Sequence, residues 1–140
     1  MAKTQVDELL STVPLFSRCT QKELSVLSRL TTKMTFPAHQ HATRQGRVGR
    51  EFIVIVSGKA TVTIDGQVVA TLGPGDFFGE IALLDGGPRT ATVTAEADLV
   101  VEVMSHQEFA SLLIEVPQVT RGILRGVAAR LRAADGDLVH

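Results

Sequence analysis

Glu80 and Arg89 stand near opposite ends of an otherwise apolar, glycine-punctuated stretch, FFGEIALLDGGPRTATV, residues 77–93. Gly79 precedes the acid, and Gly86, Gly87 and Pro88 precede the base. Residues 79–83 read as a short helix between two strands. A helix start leaves backbone N–H groups unpaired and carries partial positive charge, so it can seat an anion. Gly79, with no Cβ, lets a ligand approach that backbone closely. Arg89, returning from the far side of the glycine turn, can close over the same anion with a charge-assisted fork, and Thr90 adds a hydroxyl. Glu80 cannot bind a phosphate, because like charges a few ångströms apart repel. It can accept hydrogen bonds from neutral hydroxyls, such as those of a sugar. A phosphate joined to a ribose satisfies both groups, with Ala91 and Val93 as an apolar wall for a flat base. The same residue types also suit a dipole-favoured first-turn acid and a solvated arginine after a turn.

The elements that must position these residues follow from periodicity. Residues 3–11 carry Val6, Leu9 and Leu10 at helical spacing, and Val13 and Pro14 break the pattern. Thr20 and Glu23 form a capping box, with Leu24, Leu27 and Leu30 following on one helical face. Residues 52–56, FIVIV, form an apolar run that suits a buried strand. Ala60, Val62 and Ile64 alternate with Lys59, Thr61 and Thr63, and Asp65-Gly66 is the preferred dipeptide of a two-residue hairpin turn before the return strand 68–72. Residues 90–95 and 99–104 read as further strands. Ser105 and Glu108 make a second capping box, and Pro117 opens a last helix in which Val119, Ile123, Val127 and Leu131 recur every fourth residue. Helices, many short strands with glycine turns, and helices again predict an α+β fold: an antiparallel β-roll flanked by N-terminal and C-terminal helices.

Composition narrows the function. With 140 residues the chain is one domain by length, and 44% hydrophobic against 21% charged residues is ordinary for a globular protein. Fourteen basic against fifteen acidic residues give a net charge of -1, which argues against non-specific nucleic-acid binding. Cys19 is the only cysteine, so no intrachain disulfide forms, and it reads as a small buried hydrophobe. The opening MAKTQVDELL lacks the apolar core of a secretory signal, and no apolar run is long enough to span a membrane. Cytoplasmic location is therefore expected.

The pattern FGEIAL, a short loop, then RTATV resembles the phosphate-binding cassette of the cyclic nucleotide-binding domain family. The likeness extends over nearly the whole chain: Gly46, Gly58 and Gly75 fall at that family's turn glycines, FIVIVSG resembles its central strand, and VPLF resembles its helical entry. The resemblance implies one domain over residues 1–140, with N-terminal helices in 1–30, a jelly-roll-like double-stranded β-helix in 31–104 holding a cassette at 78–93, and C-terminal helices in 105–133. It implies cAMP or cGMP as ligand, with cAMP favoured, and no metal. The implied ligand residues are Phe78, Gly79, Glu80, Ile81, Ala82, Arg89, Thr90 and Ala91, with Gly79 and the amides of residues 80–82 on the cyclic phosphate, Glu80 on the ribose 2′-hydroxyl and Arg89 on the phosphate. Arg130 falls where the gated channels of the family place an arginine against the purine, and a solvated helix face is its other reading. His39 stands where the family has glycine, so its turn must adopt another conformation or bear strain. Because the sequence ends at His140, an output domain is expected to be missing. The expected protein is then a non-enzymatic receptor whose partners are a cyclic nucleotide and an unidentified effector protein, with no nucleic acid and no membrane. Two alternatives stay open. One is a cupin-like β-roll enzyme, to which His39 and His41 at i and i+2 would offer metal ligands. The other is an interaction module taking a different effector, in which Ile123, Val127 and Leu131 pack on the roll or on a second copy as a homodimer.

Overall fold

Phe52, Ile53, Val54 and Ile55 are consecutive and all buried. Neighbouring strand residues point to opposite faces, so both faces of their strand must be covered. The computed structural model, which describes residue 11, residues 14–79, residue 83 and residues 86–134, shows what covers them. That strand, β3 (Glu51–Ser57), lies in a sheet with β1 (Thr32–Phe36), β8 (Leu99–Ser105) and β6 (Phe77–Phe78), in the order β1-β8-β3-β6. A second sheet runs β2-β7-β4-β5, built from β2 (His41–Thr43), β7 (Thr92–Ala95), β4 (Ala60–Ile64) and β5 (Gln67–Leu72). The pairings are antiparallel. A 3-10 turn (Pro14–Phe16) and helix α1 (Gln21–Leu30) precede the sheets, and α2 (His106–Glu115) and α3 (Pro117–Ala134) follow them.

Two apolar clusters divide the interior. Ile53 and Ile55 point between the sheets, to Phe36, Phe78, Val93, Leu99 and Val101. Phe52 and Val54 point the other way, to Phe16, Leu24, Leu27, Phe77, Phe109, Leu112, Val119 and Ile123 in the helical layer. Each fully buried large side chain contributes roughly 1.5–3 kcal/mol. Both capping boxes form: Thr20 Oγ1 accepts from the Glu23 amide at 3.2 Å while Glu23 reaches back to Thr20 N at 2.8 Å, and Ser105 with Glu108 does the same at 3.1 and 2.8 Å. Asp65 and Gly66, at φ 53 and 79°, close the two-residue hairpin between Ile64 and Gln67.

The expected α+β roll is therefore present. Its details differ from the periodicity at three places. β1, β2 and β6 lack a clean alternation and were not legible. The strand expected at 90–95 starts only at Thr92, since residues 90–91 bend. His39 takes φ 71°, so the turn bears the strain that its side chain implied, with its amide donating to the Ala95 carbonyl at 2.7 Å. Gly46, Gly58 and Gly75 all sit at positive φ. Of the helix expected at 3–11 only Ser11 is described, and it is helical. Among the described residues no helix is long and apolar enough to cross a membrane.

Candidate ligand-binding site

Arg89 is fixed first by its backbone. Its N–H donates to the Arg47 carbonyl at 2.9 Å, and its own carbonyl accepts from Gly46 N at 2.8 Å. The loop between β2 and β3 thus runs alongside it. That loop is tied down in turn. Gln45 N donates to Thr92 Oγ1 at 3.0 Å, and the Gln45 amide exchanges bonds with Asp65 at the β4–β5 hairpin tip, at 3.0 and 2.8 Å.

The side chain then enters the protein. Arg89 is only 7% exposed, with Nη2 donating to the Glu51 carbonyl at 2.9 Å and Nη1 to the Gly79 carbonyl at 3.3 Å. The half-exposed Glu51 carboxylate lies 3.8 Å from Nη2. Two glycines make the space. A Cβ on Gly49 would fall 2.2 Å from Arg89 Nε, and one on Gly79 would fall 2.6 Å from Nη1 and 2.5 Å from the Glu51 carbonyl. Gly79 also takes φ 95°, which L side chains avoid.

Arg89 lines a cavity of about 480 Å³ together with His41, Thr43, Arg44, Arg47, Gly49 and Glu51. Small-ligand pockets have volumes of roughly 300–1,000 Å³. Three arginines against one glutamate among the lining residues make it electropositive. Such a groove attracts phosphate.

A family model described as "Cyclic nucleotide-binding domain" matches residues 33–115. The chain belongs to that family. Among its relatives, the CRP-like cAMP-activated global transcriptional regulator of Mycobacterium tuberculosis H37Rv is 27% identical over 138 residues, covering 95% of this chain and 62% of the regulator. The cAMP-dependent protein kinase regulatory subunit of Yarrowia lipolytica is 37% identical over 113 residues, covering 79% and 30%. The crystal structure of Thermus thermophilus catabolite activator protein superposes with a TM-score of 0.79 at 30% identity, over 89% of this chain and 61% of that one. The chain thus spans less than two thirds of the length of these relatives.

Within this cyclic nucleotide-binding domain, the expected ligand residues are partly assembled. Gly79 and Arg89 meet directly, ten positions apart. Glu80, Ile81 and Ala82 lie outside the described residues, although Leu83, one position on, is helical. Phe78 is buried in the cluster between the sheets, so its side chain holds β6 in place. Thr90 is exposed. Ala91 is half-buried, with its carbonyl accepting from Thr43 Oγ1 at 3.0 Å, and Val93 is a core residue of the roll. Arg130 is on α3 at the strand leading into Gly79: Nη2 donates to the Phe77 carbonyl, and its guanidinium sits 4.6 Å above the Phe77 ring centroid. Of the described expected ligand residues, Arg89 lines the cavity, and Phe78, Gly79, Thr90, Ala91 and Arg130 do not.

His39 and His41 separate, the first in its strained turn and the second with Nδ1 2.7 Å from Thr94 Oγ1. Among the described residues, no three of His, Cys, Asp and Glu come together as a metal site. Sequence reasoning missed Arg44, Arg47, Gly49 and Glu51. They lie in the run RQGRVGRE, three arginines spaced by glycines before a strand, a composition that a solvated loop shares.

Proposed function

We propose that this domain binds a cyclic nucleotide against Arg89 and Gly79 and acts as a non-catalytic receptor, with cAMP favoured over cGMP. The observation that carries the reading is the buried Arg89 guanidinium, held against the Gly79 carbonyl where the matched cassette begins. A guanidinium already fixed in position loses little further freedom when a phosphate arrives, so its fork is pre-organised. In this reading the cyclic phosphate takes Arg89, Gly79 and the amides of residues 80–82, while Glu80 accepts from the ribose 2′-hydroxyl. Thr90 and Ala91 flank the base. Arg130 leaves Phe77 to meet the purine, so α3 shifts and an effector protein reads that shift. The preference for cAMP is supported by relatives whose own descriptions are cAMP-activated or cAMP-dependent. The near-neutral charge supports a protein partner over nucleic acid, and a cytoplasmic setting fits the same reading.

Displacement of a fluorescent cyclic nucleotide tests this directly, because the chain has no Trp or Tyr for intrinsic emission. cAMP should displace the probe at lower concentration than cGMP. Arg89→Ala should weaken binding by ~2–3 kcal/mol, roughly 30- to 150-fold, from loss of charge-assisted hydrogen bonds. Equal affinity of wild type and variant would remove the assigned role of Arg89.

A further inference from the structure

A second cavity, also of about 480 Å³, lies where the 3-10 turn and the residues after it meet α3, and among the described residues it shares no lining residue with the Arg89 cavity. Leu15, Cys19, Phe77, Gly122 and Gly126 are its buried or half-buried walls, and the exposed Arg18, Arg121 and Arg125 stand around them. Gly122 and Gly126 seat α3 tightly. A Cβ on either would fall 2.7 Å from Leu15 Cδ1 or 2.6 Å from Phe77 Cζ, so both apolar side chains are pinned against the helix. The floor is therefore formed before any ligand arrives.

The charge around that floor is one-sided. Arg121 and Arg125 are one turn apart on α3, a spacing at which like charges repel. Arg18 brings a third guanidinium from a separate segment, and no Asp or Glu is among the described lining residues. Glu23, close enough to act on Cys19, is turned to the Thr20 amide and to Gln118 Nε2. Three guanidiniums over an apolar floor, in a concavity of ligand size, match an anion with several acceptor oxygens and an apolar body. We propose that this cavity is a second ligand site, taking a small organic phosphate monoester whose head is held by Arg18, Arg121 and Arg125 and whose apolar body lies on Leu15 and Phe77. The proposal stands apart from the cyclic nucleotide reading, since the two cavities share no described lining residue.

Phenyl phosphate is the probe. Calorimetric titration into the full chain should give saturable binding, tighter than that of inorganic phosphate, which has no apolar body. The Arg18→Ala/Arg125→Ala double variant should weaken it about tenfold or more, and Arg89→Ala should leave it unchanged. Cys19 supplies a readout on the unmutated protein. It is the only thiol, and burial first, then the charge of Glu23, push its pKa up to about 11. Phenyl phosphate should slow its alkylation by N-ethylmaleimide. Absence of saturable heat with unaltered alkylation would overturn the proposal. So would binding lost in Arg89→Ala and kept in the double variant, which would put the anion in the first cavity. Equal affinity for inorganic phosphate would overturn the assignment of the apolar floor.

Discussion

A guanidinium can be buried only if backbone oxygens and space are supplied together, and at Arg89 glycine supplies the space. Gly49 offers the sharper test, because it is absent from the cassette motif yet its missing side chain is what Arg89 Nε occupies. Gly49→Ala should displace Arg89 and weaken cyclic nucleotide binding about as much as Arg89→Ala does. Gly73→Ala, where a Cβ meets nothing within 4 Å, should leave affinity unchanged in the same displacement assay. At this scale the sequence was readable where one residue's chemistry decides the outcome. Gly79 and Arg89, singled out by spacing and charge, do meet, and His39 announced its strained turn; Glu80 lies outside the described residues. The basic run Arg44 to Arg50 was not readable, because a solvated loop and a cavity rim have the same composition. Only the backbone pairing of Arg47 with Arg89 separates them.

Elements were legible where local signals agree with tertiary packing. Thr20 and Ser105 mark their helices with reciprocal bonds that involve only neighbours, and Thr20→Ala should cost about 1 kcal/mol of stability. The two-residue turn at Asp65 and Gly66 is equally local. β1 is different: its residues Thr32, Lys33, Met34 and Thr35 are exposed and only Phe36 is buried, so pairing with β8 makes the strand. The α3 glycines were likewise passed over, since a glycine in a helix costs roughly 1 kcal/mol against alanine and offers no signal of its own. Their reason is contact across elements. Gly126→Ala should gain helix propensity and still lower the melting temperature, because its methyl meets the Phe77 ring at 2.6 Å and overpacking costs ~1–3 kcal/mol. Circular dichroism melting decides between the two effects; a raised melting temperature would mean that Phe77 yields.

For the whole molecule, a buried acid on β8 contributes to the pH dependence of stability. Glu102 is 4% exposed on β8 and accepts from Thr31 Oγ1 at 3.0 Å. Burial raises its pKa above the ordinary 4.5, with the Thr31 bond and Lys33 opposing the shift. A carboxylic acid with a raised folded-state pKa favours folding most below its unfolded value, and that contribution is lost as pH rises through the folded value. Glu102→Gln keeps an acceptor for Thr31 without the charge. It should therefore raise the melting temperature at neutral pH, and the difference should shrink as the pH is lowered past the carboxylate range. A gap that widened in acid would reverse the sign of the argument.

The shortest strand has the widest reach. Phe77 sends its ring into the helical layer beneath Arg130 and Gly126, Phe78 sends its ring between the sheets, and the next carbonyl belongs to Gly79. Such a two-sided rivet cannot be pulled from one side alone. If α3 swings and takes the first ring with it, the strand twists about the second ring as a pivot, and the Gly79 oxygen moves relative to Arg89 Nη1. Helix α3 and Arg89 are thus geared through three consecutive residues, with no need for a long relay across the molecule.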